Sequence, residues 1–316
     1  SVSVSNSVCC WPINRFGSQE LKSQVLPELA SGDCVGGFAL TEPESGSDAA
    51  ALKTRAERQG DEWILNGEKA WITNAGAAKY YVAMARTDPA AGHRGISAFV
   101  VPASSPGLTV GAQEEKLGLR ASLTAPVLFD NCRIPADHLL GQLGQGFKIA
   151  LATLDHSRLG IAAQAVGIHR RALELAMDYA RQRVQFGRPI ADFELVQERI
   201  ARMSALTFAM DALLYNVTGI LDRGDQDVMV ETAICKVFCS EMGWETIDDA
   251  MQVLGGEGYM TENEFERLWR DNRIHRIVEG SNEVMQSFVF AYGGKQLAEH
   301  MLYIQDAMGG NPDETV

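Results

Sequence analysis

From residue 35 onward the chain alternates short apolar runs with turn signals. The runs VGGFAL (35–40), LKTRAER (52–58), EWIL (62–65), EKAWIT (68–73), YYVAMA (80–85), GISAFVV (95–101), LTVGA (108–112) and TAPVLFD (124–130) have the length of strands. Between them lie Gln59-Gly60-Asp61 and loops carrying Pro89, Gly92, Pro102, Pro106 and Gly107. Asn66-Gly67, set between two apolar runs, is the strongest short-range hairpin signal, because both residues tolerate positive φ. This half predicts an all-β sandwich or barrel.

After Gly141, Gly144 and Gly146 the apolar period changes from that of a strand to that of a helix. Leu151, Leu154, Arg158, Ile161, Ala165, Ile168, Ala172, Leu175 and Tyr179 share one helical face, and Ala162, Val166, Leu173 and Ala176 supply an adjoining one. A helix apolar on two faces predicts the centre of a bundle. A second helix is expected from Asp192, as N-cap, through Val196, Ile200, Met203, Met210, Leu214 and Val217 to Gly224. A third begins in the acidic Asp225-Gln226-Asp227 segment and stops at Gly255-Gly256. Thr261 and Glu264 read as a capping box for a short fourth helix, and Ser281 to about Met301 as a fifth.

The length of 316 residues exceeds what one hydrophobic core usually supports, about 250, so two domains are expected. An apolar fraction of 46% with 22% charged residues excludes a disordered or fibrous chain. A net charge of −13 works against binding along a phosphate backbone, so no nucleic-acid partner is expected. The longest nearly apolar stretch, Leu159 to Ile168, is half the ~20 residues of a membrane span, and the first residues lack a basic segment ahead of an apolar one. Neither span nor signal peptide is expected. The six scattered cysteines contain no CxxC pair, which suits a reducing compartment.

No GxGxxG, GxxxxGK[ST], HExxH or GxSxG is present, and the six histidines show no metal-ligand spacing. Four clusters stand out. Phe38 to Asp48 runs from a strand into a loop of hydroxyls and exposed amides, which either wraps a planar ligand or its phosphate or is a surface turn. In Lys69 to Asn74, Trp71 and Thr73 share a strand face and suit one side of a ring cofactor, or else Trp71 is core. Arg183 to Gly187 ends the long helix with a cation, an amide and an aromatic, which also reads as a helix C-cap. Glu279 follows Ile277-Val278 and precedes Gly280. It is either a partly desolvated base or an ordinary acid at a helix N-terminus.

Taken jointly, LTEPESGSD, LNGEKAWITNAG, KLGLRAS, LDHSRLGIAAQAVGI, RVQFGRPI, MQVLGGEGYM and RIVEGSNEV resemble the acyl-CoA dehydrogenase flavoenzymes in order and spacing. The resemblance spans almost the whole chain. It implies a β-barrel-like middle domain followed by a helical bundle, an α+β multidomain architecture. It implies FAD, with the flavin against Phe38, Leu40, Thr41, Gly46, Ser47, Trp71, Ile72 and Thr73, whose hydroxyls and amides meet the ring edge and the pyrophosphate. Arg183, Gln185 and Phe186, with Gln252, Gly255 and Gly256, match contacts to the adenine dinucleotide portion of a neighbouring subunit's cofactor, so a homodimer or homotetramer is implied. Ser281, Asn282 and Glu283 match the last cofactor-contacting segment, Ser281 standing where Thr is commoner. Glu279 matches the base that takes the α-proton of a fatty acyl-CoA while the β-hydrogen leaves as hydride to flavin N5, giving trans-2-enoyl-CoA. Its backbone N–H, with a flavin ribityl hydroxyl, matches the group that binds the thioester carbonyl. Asp155 and Arg158 match positions holding the coenzyme A moiety, with Ser47 and Gly280 lining the thioester. Arg158 reads alternatively as a paired charge on the bundle.

The implied partner for electrons is an electron-transferring flavoprotein. An oxidase delivering electrons to oxygen, or a catalytically silent assembly subunit of the same fold, are the alternatives. The implied location is the cytoplasm in a bacterium or the mitochondrial matrix in a eukaryote. Two departures from the family pattern set further expectations. Only residues 1–33 precede the middle domain, so they are expected to be a remnant of an N-terminal helical domain otherwise missing, which would leave FAD weakly held and the apolar pocket uncovered. The second half looks closest to the long-chain and very-long-chain branch. The expected domains are thus 1–33, 34–143 for the β domain, 144–303 for the bundle, and a tail at 304–316.

Overall fold

The computed structural model describes residues 1–224 and 228–309, the last six by backbone alone. It forms two compact units, Ser1–Gly160 and Ile161–Val316. The expected start of the third helix at Asp225-Gln226-Asp227 and the end of the tail, 310–316, lie outside the described residues.

Unit 1 opens with α1 (Val2–Val4), a π-helical segment Ser5–Cys10, α2 (Trp11–Phe16) and α3 (Gln19–Ser31). Ser18 caps α3 by accepting from the Leu21 amide at 3.1 Å, and Gly32, at φ 82°, ends it. The strands follow as β1 (Val35–Ala39), β2 (Arg55–Gln59), β3 (Glu62–Thr73), β4 (Ala78–Arg86), β5 (Ile96–Pro102), β6 (Leu108–Val110), β7 (Thr124–Pro135) and β8 (Leu139–Leu140). They form one eight-stranded sheet in the order β6-β7-β3-β2-β4-β5-β8, with β1 parallel to β4.

The continuous apolar run of β4 has a physical cause. Tyr81, Ala83 and Ala85 face one core with Trp63, Leu65, Phe99 and Ile134, while Tyr80, Val82 and Met84 face a second core with Ile13, Leu21, Val25 and Leu29 of the N-terminal helices. A strand buried on both faces needs apolar residues at every position rather than alternate ones. Residues 1–33 therefore cover a sheet face, and Cys9, Ile13 and Val25 are fully buried there.

The hairpin expected at Asn66-Gly67 is not formed. The turn falls at Gly60, φ 60°, where Gln59 pairs with Glu62, and β3 runs straight through Gly67 with a register shift. Gly67 has φ 149°, and a Cβ there would lie 2.4 Å from Thr54 Oγ1 and 2.7 Å from Thr54 Cα. Close approach of two backbones, not a turn, requires this glycine. Gly67→Ala is accordingly expected to lower stability by about 1–3 kcal/mol, read as a reduced urea midpoint with an unchanged slope.

The helix α4 (Gly146–Gln182) begins in unit 1, where Ile149 and Ala150 are buried, and ends in unit 2. Its expected apolar face is buried or half-buried except at Leu151, which is exposed. Unit 2 continues with the two-residue strands β9 (Val184–Gln185) and β10 (Arg188–Pro189), then α5 (Glu194–Asp222), α6 (Met229–Leu254), α7 (Gly256–Tyr259) and α8 (Phe265–Asn272). After these come α9 (Asn282–Phe288), a π-helical turn Val289–Gly293 and α10 (Gly294–Gly309), the last reaching beyond the expected end of the bundle. Ala172, Ala176 and Ala180 of α4 pack with Met203, Ile247 and Phe265.

Two expected caps differ. The N-cap of α5 is Phe193, because Val196 and Gln197 both donate to its carbonyl, and Asp192 closes a preceding 3-10 turn. At α8, Asn263 Oδ1 accepts from the Phe265 amide at 2.9 Å in place of the Thr261 and Glu264 pair, and Glu264 instead binds Arg171. Among the described residues α5 alone is long and apolar enough to cross a membrane by length and composition, although polar residues interrupt its apolar ones and leave no continuous run.

Candidate functional site

In unit 1 the residues matched to the flavin ring gather at one end of β1 and β3. The Ala70 amide donates to the Thr41 carbonyl at 2.9 Å, which brings the segment after β1 beside Trp71. Trp71 adopts φ 56° at a register shift between Lys69 and Ile72, and the residue is 60% exposed. A large aromatic held outward in a left-handed conformation is strained and costs burial, the signature of a surface kept for a ligand. Phe38, Thr41 and Thr73 are half-buried, Ser47 is exposed, and no atom lies within 4 Å of where a Cβ at Gly46 would be. Leu40 and Ile72 are buried, so their side chains belong to the core and only their backbone can face a ligand.

Beneath this edge lies a pair that the sequence did not single out. Lys69 is fully buried, and its Nζ donates to Glu42 Oε1 at 2.7 Å and to the Leu40 carbonyl at 3.1 Å. Glu42 also accepts the Lys53 and Thr54 amides, at 2.5 and 3.0 Å. Burial pulls the Lys69 ammonium down to about 8 against the opposing pull of Glu42. For Glu42, burial pushes upward, but the Lys69 charge and three hydrogen bonds outweigh it, and the carboxyl lies below its ordinary value.

In unit 2, Glu279 and Gly280 sit consecutively at φ 56° and 89°, directly before α9. Ile277 is exposed while Val278, Glu279, Gly280 and Ser281 are half-buried. Asn282 is buried, and its amide group is fully engaged: Oδ1 accepts from Lys236, and Nδ2 donates to Ser240 Oγ and Glu241 Oε1 at 2.9 and 2.7 Å. A cofactor contact from Asn282 is thus left to its backbone. Glu283 is held below the ordinary carboxylate range by its own backbone amide and the Ser281 hydroxyl. Lys236, buried in the apolar run AICKVF, is the other residue that sequence reasoning passed over. A lysine between apolar neighbours on a helix was its only signal.

Also in unit 2, β9 and β10 form a tight hairpin whose turn residues Phe186 and Gly187 have φ 52° and 83°. Phe186 is 94% exposed. Its ring meets Phe193 edge-on at 6.1 Å, and the Arg188 guanidinium lies 4.2 Å over the Phe193 ring. Arg183 and Gln185 are exposed beside it, and Gln185 Nε2 donates to the Val184 carbonyl at 2.6 Å. Gln252 is exposed, and around Gly255 and Gly256 no atom lies within 4 Å of an added Cβ. Exposed amide, aromatic and glycine backbone suit a dinucleotide, so both units have surfaces that fit FAD.

On α4, Arg158 is buried and bonds Asp155 one turn away. This ion pair is compatible with both readings of Arg158, since a paired guanidinium and carboxylate can also meet a ligand. Its neighbour His156 stacks on Trp11 at 4.8 Å, beside a cavity of about 540 Å³ lined by Ser3, Asn6, Cys10 and Leu26.

Family models match most of the chain in three consecutive pieces. The acyl-CoA dehydrogenase N-terminal domain matches residues 1–33, the middle domain 37–132 and the C-terminal domain 144–291. Over 270 residues the chain is 47% identical to a probable acyl-CoA dehydrogenase of Mycobacterium tuberculosis, covering 85% of this chain and 69% of that protein. It is 46% identical over 285 residues to the human mitochondrial short-chain specific acyl-CoA dehydrogenase, covering 90% and 69%. The solved butyryl-CoA dehydrogenase of Megasphaera elsdenii superposes with a TM-score of 0.90 at 39% identity, over 93% of this chain and 76% of that one. The chain belongs to the acyl-CoA dehydrogenase family. Two expectations are corrected. Residues 1–33 match the family's N-terminal domain, so the expectation that this domain is missing finds no support, and neither does the long-chain branch beside relatives named for short-chain and butyryl substrates.

Proposed function

We propose that this FAD-dependent acyl-CoA dehydrogenase converts a short-chain acyl-CoA to the trans-2-enoyl-CoA, with Glu279 as the base for the α-proton. The observation that carries the reading is the Glu279-Gly280 turn, a carboxylate held in a disfavoured backbone conformation after two β-branched residues. The α-proton of a thioester is weakly acidic, so its removal needs a positioned base and a bound carbonyl. Glu279 takes the proton, and its own backbone N–H binds the carbonyl oxygen. When bound, FAD supplies the acceptor for the β-hydrogen and its electron pair. Phe38, Thr41, Ser47, Trp71 and Thr73 hold its ring, with backbone of Leu40, Gly46 and Ile72. Arg183, Gln185, Phe186, Gln252, Gly255 and Gly256 hold the dinucleotide portion of a second copy's cofactor, with Ser281, Asn282 and Glu283 completing the set. Asp155 and Arg158 hold the coenzyme A moiety, and Ser47 and Gly280 line the thioester. Electrons pass on to an electron-transferring flavoprotein, in the cytoplasm of a bacterium or the matrix of a mitochondrion.

Anaerobic mixing of the FAD-loaded chain with butyryl-, octanoyl- and palmitoyl-CoA tests this reading. Butyryl-CoA is expected to bleach the flavin fastest; bleaching by none of the three contradicts the reading, and peroxide formation in air assigns the electrons to oxygen instead. Arg183→Ala is expected to weaken FAD retention about tenfold and to shift the assembly toward monomer together, because cofactor and partner binding are linked. Equilibrium sedimentation with and without FAD checks this, and a variant that keeps both properties rules out the shared site.

A further inference from the structure

Lys236 sits about two turns into α6 with none of its side chain open to solvent. An ammonium in such a place is costly unless its protons are used. Its Nζ donates to the Gly280 carbonyl and to Asn282 Oδ1, both at 2.7 Å. These acceptors begin one residue after Glu279. Asn282 is itself oriented by Ser240 and Glu241, and Glu241 is held by Arg276 at 2.9 Å. The inner side of the turn is thus tied to α6 at successive points.

Such a turn needs tying. Glutamate at φ 56° is disfavoured by its own Cβ, and Gly280 at φ 89° takes a conformation that a side chain would strain, with the Met285 side chain packed against it. Left to itself the segment would relax to an extended or right-handed form, turning the carboxylate elsewhere. Hydrogen bonds from a charged donor are stronger than neutral ones, and here one meets the strained backbone at the Gly280 carbonyl while the other meets the Asn282 side chain where α9 begins. Near Lys236, His275 adds no second cation at neutral pH, since burial and the lysine charge push it down to about 4.

We propose that Lys236 is a positioning residue for the reaction: its hydrogen bonds to Gly280 and Asn282 hold the left-handed pair Glu279-Gly280 against the start of α9, which aims the Glu279 carboxylate. This rests on the reading of Glu279 as the base. An ammonium that only filled space in α6 would spread its effect along that helix, whereas this role confines it to the turn.

The test compares the parent, Lys236→Met and Glu279→Gln. Amide hydrogen exchange in the 277–283 peptide is expected to quicken at least tenfold in Lys236→Met without FAD, with the rest of unit 2 unchanged. In the FAD-loaded variant, flavin reduction by butyryl-CoA is expected to slow about 100-fold with the half-saturating concentration within threefold. The isotope effect of α-deuterated butyryl-CoA is expected to rise. Unchanged exchange in the turn, or loosening spread evenly along α6, overturns the proposal, as does an unchanged reduction rate. If Lys236→Met does not fold, Ser240→Ala is read instead, where loosening of the same peptide by about threefold supports the proposal and none overturns it. A Glu279→Gln variant that still reduces its flavin sinks the base reading instead, and hydrogen exchange in the turn then decides by itself whether Lys236 braces it.

Discussion

Glu279→Gln is expected to slow flavin reduction by butyryl-CoA roughly 100- to 10,000-fold, the range over which a positioned base contributes. The amide keeps the shape of the carboxylate and the positive φ of the backbone, so the turn should persist. It cannot accept a proton at neutral pH. Loss should therefore appear in the reduction rate at saturating substrate, with the half-saturating concentration and FAD affinity each within threefold of the parent. Stopped-flow bleaching measures the first and apoprotein fluorescence titration the last. Reduction within tenfold of the parent would remove Glu279 from the role of base.

Lys69→Met should destabilise the fold by about 3–5 kcal/mol, because it leaves Glu42 buried without its cation. The double variant with Glu42→Gln is expected to recover most of that loss, since a buried pair contributes far less than the cost of breaking it. FAD affinity should fall about tenfold in the single variant, as Lys69 ties the Leu40 carbonyl to the strand that carries Trp71. A pH signature follows. The buried ammonium releases its proton at about 8, against 10.5 in an unfolded chain, so between those values the unfolded chain binds more protons. This group's contribution makes stability rise with pH across that window, and the rise should be absent from Lys69→Met. Urea unfolding at several pH values from 7 to 10 checks both claims, and identical slopes with pH in the two chains would refute the linkage.

The run YYVAMA was legible as a strand, and the change of period after Gly146 as helices, because local spacing alone decides these. Asn66-Gly67 misled because its geometry is set by Thr54, which presses on Gly67 from another segment. Thr261 and Glu264 misled for a related reason: Asn263 offers a closer cap, and Arg171, 93 residues away, takes the glutamate. In the candidate site Trp71, Phe186 and Glu279 were singled out through the joint spacing of motifs, but the exposure of the two aromatics and the left-handed turn at Glu279 were not. Lys69 and Lys236 were not. Lysine is ordinarily a surface residue, and what makes these two different is a partner 27 and 44 residues distant, which only folding brings near.

The order in which the chain is made gives the long strand β3 a waiting period. Its neighbour β2 is already present, and the turn at Gly60 pairs them at once. The other edge waits for β7, which begins about 50 residues after Thr73. At ~5–20 residues per second, that edge stays open for roughly 3 to 10 seconds on the ribosome. An unpaired edge rich in apolar residues invites strands from other nascent chains. Glu68 and Lys69, which later face Leu128 and Val127 across the ladder, stand in the middle of it. The lysine that the finished sheet buries thus first serves as a charge guarding a bare edge, so Lys69→Met should aggregate during synthesis even where refolding from urea succeeds.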